Sequence, residues 1–274
     1  MHECKNPYRP IETAVLDVIT ETPNIKTLRL RPKEPLTFIA GQFIELTVPG
    51  VGEAPFTPSS RPAVKDMIEV TIMKVGKVTE RIHRLKKGDT VGLRGPLGKG
   101  YPIDDFKGRE ILVVGGGCGL APLRSLMYEL FDRSSQFKNV FFRGGCKTPS
   151  DMLYRKEIGD WFKRDDLNIR LTVDRGDDSW KGSVGVVTAI MDDIKMDTLS
   201  GIAVVCGPPI AMKYATMKLL DMGFRDENIY LSMEKNMSCG IGKCGHCRIG
   251  IYYACKDGPV FQYSKIKNFH EIWD

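Results

Sequence analysis

Four cysteines crowd into seventeen positions near the end of the chain, as Cys239-x4-Cys244-x2-Cys247 followed by Cys255. That is the spacing by which four thiolates hold a [2Fe–2S] centre. Gly240, Gly242 and Gly245 fall between the first three, where small residues let backbone N–H groups turn toward the cluster sulfurs. A zinc ribbon is the competing reading of a four-cysteine set. It usually takes two C-x2-C knuckles, and only Cys244/Cys247 forms one. His246 lies between two ligands and is expected to face solvent or to support the site, because four thiolates already complete it.

A second feature follows the apolar run ILVV: Gly115-Gly116-Gly117-Cys118-Gly119-Leu120-Ala121-Pro122. A glycine turn that opens a helix, with proline in its first turn, offers unpaired N–H groups to a pyrophosphate. The pattern departs from G-x-G-x-x-G, and the next apolar strand ends in Phe142-Arg143 without an acidic ribose ligand. By itself it could be a tight turn of any α/β domain. Cys206-Gly207-Pro208-Pro209 repeats the arrangement after another strand, so two loops are expected at the carboxyl edge where open sheets bind ligands.

These loops need elements to carry them. Up to about residue 105 the apolar runs are short and strand-like: Ala14–Ile19, Thr27–Leu30, Phe43–Val48, Ile68–Met73 and Thr90–Leu93. Turn formers separate them, which predicts a small antiparallel β-barrel with one helix over Val78–Leu85. From Glu110 strands alternate with helices at Ala121–Phe131, Asp151–Phe162, Val186–Met191 and Pro209–Met222, the rhythm of a parallel α/β sheet. The expected division is a barrel over 1–105, an α/β domain over 106–227 and a small cluster module over 228–274.

A formal charge of +6 is spread along the chain without a basic run, which argues against nucleic acid as the partner. No stretch reaches the roughly 18 apolar residues of a spanning helix, and MHECKNPYRP has no apolar secretion core. Eight cysteines without an export signal read as reduced thiols and metal ligands of a cytoplasmic protein. Cys4, Cys118 and Cys146 lack metal-ligand spacing and are expected to be plain thiols.

Taken together these residues resemble the ferredoxin–NADP reductase superfamily, in the branch that ends in a [2Fe–2S] module. Within that branch the chain is similar to the gamma subunits of cytoplasmic nickel–iron (sulf)hydrogenases and the B subunit of anaerobic sulfite reductase. The electron-transfer subunit of dihydroorotate dehydrogenase is more distant. Gly52-Glu53-Ala54-Pro55, Lys74–Thr79, Arg94–Gly100 and Cys244-Gly245-His246-Cys247 carry the likeness, which spans essentially the whole chain.

The resemblance implies FAD on the barrel, with Pro55, Phe56, Thr57 and Ser59 beside the flavin ring. It implies that Gly76, Lys77, Val78 and Thr79 give N–H and hydroxyl donors to the pyrophosphate. The wider superfamily's Arg-x-Tyr-Ser is absent here, leaving Phe56 as the candidate to stack on the ring. The same resemblance puts NAD(P)H over Gly117, Gly119, Pro122, Gly207 and Pro208, with Cys206 positioned at the nicotinamide and Lys147 near the adenosine ribose. Asp174-Arg175 ends another strand at that edge, and without a clear basic pair for a 2′-phosphate the expectation favours NADH. Glu234, followed by Met237, is expected to reach flavin or nicotinamide.

The implied activity is a diaphorase: NAD(P)H reduces FAD, which feeds single electrons through the [2Fe–2S] centre to a catalytic or electron-accepting subunit, hydrogenase-like or sulfite-reductase-like. The alternative is a docking or relay subunit that keeps the fold without reacting with NAD(P)H.

Overall fold

The computed structural model describes residues 6–273, so Cys4 lies outside the described residues. Strands β1 (Ile11–Thr22), β2 (Ile25–Pro32), β3 (Phe43–Val48), β4 (Gly52–Phe56), β5 (Ile68–Met73) and β6 (Thr90–Leu97) form one antiparallel sheet in the order β4-β3-β6-β1-β2-β5. Residues just beyond β4 close it into a barrel. Pro58 bridges Val70, and the Ser59 N–H donates to the Glu69 carbonyl at 2.8 Å.

Alternation along the strands sends Leu28, Leu30, Ile44, Leu46, Ile68, Val70 and Ile72 inward, each burial contributing about 1.5–3 kcal/mol. Helix α1 (Lys77–Ile82) plugs the barrel with Ile82, which is fully buried. β4 reads as a turn in the sequence because of Gly52 and Pro55. It pairs only with β3 in the ladder, Pro55 opposite Glu45, and an edge strand tolerates proline.

The second sheet is built from β7 (Ile111–Gly116), β8 (Val140–Cys146), β9 (Leu167–Val173), β10 (Ser183–Val184), β11 (Ile202–Cys206) and β12 (Ile229–Ser232), all parallel, in the order β10-β9-β8-β7-β11-β12. Helices α2 (Leu120–Asp132), α3 (Arg155–Trp161) and α4 (Pro209–Asp221) flank it. β8 runs past the expected stop at Arg143. That side chain is 1% exposed and donates to the carbonyls of Ile190 at 2.8 Å and Asn168 at 3.0 Å. It thereby pins a 3-10 turn, Val187–Ile190, where the sequence rhythm suggests a longer helix.

The cysteine-rich segment is woven into this sheet. After the hairpin β13 (Arg248–Ile249) and β14 (Tyr252–Tyr253), strand β15 (Val260–Gln262) adds antiparallel to β12. The expected boundary at 227/228 thus falls just before a strand, β12, that pairs with β11.

Barrel and α/β domain meet through a buried polar network. Arg124 of α2 pairs with Glu69 of β5 and with Glu157 of α3, while Thr71 of β5 bonds both Ser59, at 3.1 Å, and the Tyr154 hydroxyl. No helix among the described residues is long and apolar enough to cross a membrane.

Candidate functional site

The cluster loop is positioned from both sides. The Arg94 guanidinium, 3% exposed, donates Nε to Glu53 at 3.0 Å and both Nη atoms to the Cys239 carbonyl at 3.4 Å. The buried Glu45 carboxyl lies beside Gly240, whose Cβ would stand 3.1 Å from Oε1. Burial raises its pKa to about 7, with Glu53 adding to the rise and Arg94 opposing it. The Lys99 N–H donates to Gly258 and the Met233 N–H to Pro259, so the barrel and β12 both grip the turn before β15.

Within the loop, Cys239 Sγ accepts N–H groups from Lys243 at 3.2 Å, Cys244 at 3.4 Å and Ile241 at 3.5 Å. Burial disfavours its thiolate, but these donors outweigh burial and bring its pKa down to about 6. Cys255 Sγ accepts the Gly242 N–H at 3.0 Å and lies 3.2 Å from Cys247 Sγ. Burial and that neighbouring sulfur push Cys255 up to about 12. Among the described residues no three His, Cys, Asp or Glu side chains gather for a single metal ion. The sulfurs lie instead as two pairs, Cys239 with Cys244 and Cys247 with Cys255. Two sulfurs per iron, with N–H donors on the thiolates, is the donor set a two-iron cluster requires. His246 is exposed, its Nδ1 2.6 Å from Ser238 Oγ.

The two glycine loops stand side by side because β7 and β11 are neighbours. A Cβ on Gly119 would lie 2.6 Å from Gly207 Cα and 2.7 Å from the Cys206 carbonyl, so their backbones touch. Gly117, at φ +54°, faces open space. Pro122 sits in the first turn of α2, and Pro208 caps α4. Cys206 ends β11, 7% exposed, and burial pushes its thiol up to about 12, helped by Glu234. Glu234 is itself accessible to solvent. Cys118 meets the Met73 backbone at the end of β5, and burial raises it to about 11. Thus the end of β5, the first glycine loop, Cys206 and Glu234 share one junction.

On the barrel lip, Gly76 also faces open space. Thr79 is spent locally: its Oγ1 accepts the N–H groups of Val75 and Gly76 at 2.9 Å and donates to the Gly76 carbonyl. Its hydroxyl therefore shapes the turn and is no free donor, leaving the Lys77 and Val78 N–H groups at the helix start. Ser59 departs further from expectation, being fully buried and bonded to Thr71 and Glu69. Pro55, Phe56 and Thr57 stay partly exposed on the lip, with Phe56 packed against the barrel core. Lys147 is exposed, and its carbonyl accepts the Arg175 N–H at 3.0 Å.

Sequence reasoning missed the couplings made by Arg94, Glu45 and Arg124. Arg94 opens one stretch that carried the resemblance and Glu53 lies in another, and a charged pair beside glycine turns was the available signal.

Three family models match in series: the oxidoreductase FAD-binding domain over residues 13–101, the oxidoreductase NAD-binding domain over 113–217, and the iron–sulfur cluster binding domain of dihydroorotate dehydrogenase B over 234–267. Sulfhydrogenase 1 subunit gamma of Pyrococcus furiosus is 38% identical, with 95% of this chain and 93% of the relative covered. The chain belongs to this family of flavin and iron–sulfur electron-transfer subunits.

Another family member, a probable dihydroorotate dehydrogenase B (NAD(+)) electron transfer subunit of Methanocaldococcus jannaschii, is 32% identical over 96% of this chain and 94% of its own. The fold recurs in the NADH-dependent reduced ferredoxin-NADP oxidoreductase structure, with TM-score 0.76 and 24% identity over 93% of this chain and 91% of that one. It recurs also in a ferredoxin NADP+ reductase from Neisseria gonorrhoeae, with TM-score 0.69 and 21% identity over 80% and 96%. As a member of this family the chain is an oxidoreductase that uses FAD, NAD(P)H and an iron–sulfur cluster in electron transfer.

Proposed function

We propose that the chain is the NAD(P)H-oxidising subunit of a larger complex, and that its electrons leave through the cluster held by Cys239, Cys244, Cys247 and Cys255. When bound, FAD takes electrons from nicotinamide in pairs and releases them singly, and the cluster carries one at a time. The observation that carries this reading is the shared junction, where Met73, Cys118, Cys206 and Glu234 draw the ends of β5, β7, β11 and β12 together.

In this reading the open backbone at Gly76, Lys77 and Val78 takes the FAD pyrophosphate, with Thr79 holding the turn and Pro55, Phe56 and Thr57 beside the ring. Gly117, Gly119, Pro122, Gly207 and Pro208 admit the dinucleotide. Cys206 stays a neutral thiol that positions nicotinamide, and Glu234 borders the same space. Lys147 lies toward the adenosine ribose. The backbone bond from the Arg175 N–H to its carbonyl brings the ends of β8 and β9 together at this edge, with Asp174 beside them, and the reading keeps NADH as the favoured donor.

The partner is a catalytic subunit, hydrogenase-like or sulfite-reductase-like. The names of the relatives support this, since sulfhydrogenase gamma is by name a subunit of a larger enzyme. The seven described cysteines are all free, which supports a reducing, cytoplasmic setting. The deciding experiment is an anaerobic visible spectrum with iron and flavin quantitation, before and after NADH and then NADPH. About two irons and one flavin per chain, bleached by a nucleotide, are expected. Full cofactor content with no bleaching by either nucleotide would overturn the proposal.

A further inference from the structure

We infer that Arg94 is a positioning residue for the cluster: it ties the Cys239 ligand to β4 and, as a buried fixed cation, raises the reduction potential of the centre. This rests on the reading that Cys239, Cys244, Cys247 and Cys255 hold a [2Fe–2S] cluster.

All three nitrogens of the Arg94 guanidinium are spent on partners from other parts of the chain. Nε donates to Glu53 Oε2 at 3.0 Å and Nη2 donates to the other oxygen of the same carboxylate, a bidentate pair with fixed geometry. Nη1 donates to the Pro7 carbonyl at 3.0 Å, and both Nη atoms reach the Cys239 carbonyl at 3.4 Å. Glu53 is held in turn by Thr47, whose Oγ1 donates to Oε2 at 3.1 Å. Glu53 lies on β4, which continues through Pro55 and Phe56 of the barrel lip. One side chain thus joins the strand of the proposed flavin lip to a cluster ligand 145 residues further along the chain.

The sign of the effect follows from the charges. A [2Fe–2S] centre on four thiolates is net negative, and the electron it accepts adds one more negative charge, so a cation fixed nearby favours the reduced form. The Arg94 side chain is 2% exposed and that of Glu53 is 29% exposed, so solvent screens the carboxylate more than the guanidinium. The guanidinium is also the end of the pair that touches the ligand. Glu45 faces Arg94 across the β3–β6 register, buried, with Oε1 lacking a hydrogen-bond partner among the described residues. Burial works against the charge of that carboxyl, whereas a guanidinium keeps its own at any working pH.

The test measures the cluster midpoint of the holoprotein in an anaerobic dithionite titration, followed by the electron paramagnetic resonance of the reduced centre, with every variant at the same pH. One electron from dithionite reduces one oxidised cluster. In Arg94→Gln, with iron content verified, the midpoint is expected to fall by a roughly tenfold shift in the reduction equilibrium, about 59 mV for a one-electron couple. Arg94→Lys keeps the charge and should recover most of that fall. Glu53→Gln removes the opposing charge and should move the midpoint upward, a direction that a merely structural role does not predict. An unchanged or raised midpoint in Arg94→Gln, or a lysine variant no closer to the unmodified protein than the glutamine one, would overturn the inference. If Arg94→Gln does not retain its iron, Glu53→Gln decides: a raised midpoint supports the inference, and an unchanged or lowered one overturns it. Because dithionite supplies the electrons, failure of NAD(P)H to bleach the protein would count against the proposed function alone, whereas absence of iron from the unmodified protein would remove the cluster reading and this inference with it.

Discussion

In the cluster module the four proposed ligands and four N–H donors to their sulfurs come from within seventeen consecutive residues, so the site carries much of its own scaffold. The proposed nucleotide cleft is assembled from segments spread along the chain, Gly76 on the barrel lip, Gly119 after β7 and Gly207 after β11. A locally built site should fail when a ligand is lost and tolerate change elsewhere. A site assembled from distant loops should fail when those loops are forced apart, even with every side chain intact.

The sharpest way to break this contrast is Cys247→Ser. The buried sulfur lies 3.2 Å from Cys255, and its loss removes one of the four proposed ligands, so iron content and the cluster's visible absorption should be abolished. Flavin-level reduction of a small dye by NAD(P)H should survive. Retained iron would mean the site is less local than described.

Arg124→Met tests the joint between barrel and α/β domain. It leaves Arg29 as the remaining cation on Glu69, a carboxyl whose pKa burial would raise but which Arg124 and Arg29 together hold below the ordinary value. Leaving the carboxylate wholly unpaired would cost about 3–5 kcal/mol and Arg29 offsets part of that, so the effect is read as a smaller drop in thermal midpoint with the cluster spectrum unchanged. The sign with pH follows from the lowered value: this carboxylate stabilises the fold above its unfolded pKa. That contribution disappears as pH falls through the folded one. Glu69→Gln should therefore flatten the acid limb of the stability profile.

Gly119→Ala adds a methyl 2.6–2.7 Å from the backbone of Cys206 and Gly207, which must separate the two loops. NAD(P)H-dependent reduction should fall roughly a hundredfold, about 2.7 kcal/mol, while dithionite still reduces the cluster at the unmodified rate. Thr79→Val should do less, removing the cap on the Val75 and Gly76 N–H groups at a cost of about 1 kcal/mol and weakening FAD roughly fivefold in a flavin titration. The mildest effect is expected of Cys206→Ala. With its thiol pushed up to about 12 by burial, Cys206 stays protonated from pH 6 to 9, so the substitution should raise KM for the nucleotide without changing the shape of the pH profile.

Legibility in the sequence followed the range of the interactions. β3 and β5 were readable to the residue, since Phe43–Val48 and Ile68–Met73 are apolar runs bounded by turns. β4 was not readable, because Pro55 and Gly52 signal a turn and only pairing with β3 makes the segment a strand. β8 looked shorter than it is, since a charged Arg143 seemed to end it. The carbonyls that satisfy that guanidinium come from β9 and from the turn ending at Ile190. Ser59 and Thr79 were expected to face a ligand, and both hydroxyls are spent on partners in the protein.

The amino-acid sequence by itself determined the order of three modules and the two glycine loops and supplied the four-cysteine spacing on which the proposed cluster ligands rest, because spacing, periodicity and turn chemistry act over a few residues. Only the tertiary structure decided that the cluster loop hangs on Arg94, that β15 stitches the module into the second sheet, and that the Lys147 carbonyl accepts the Arg175 N–H. Those outcomes depend on which strands become neighbours, and sheet order is set by packing over the whole chain, beyond the reach of any local pattern.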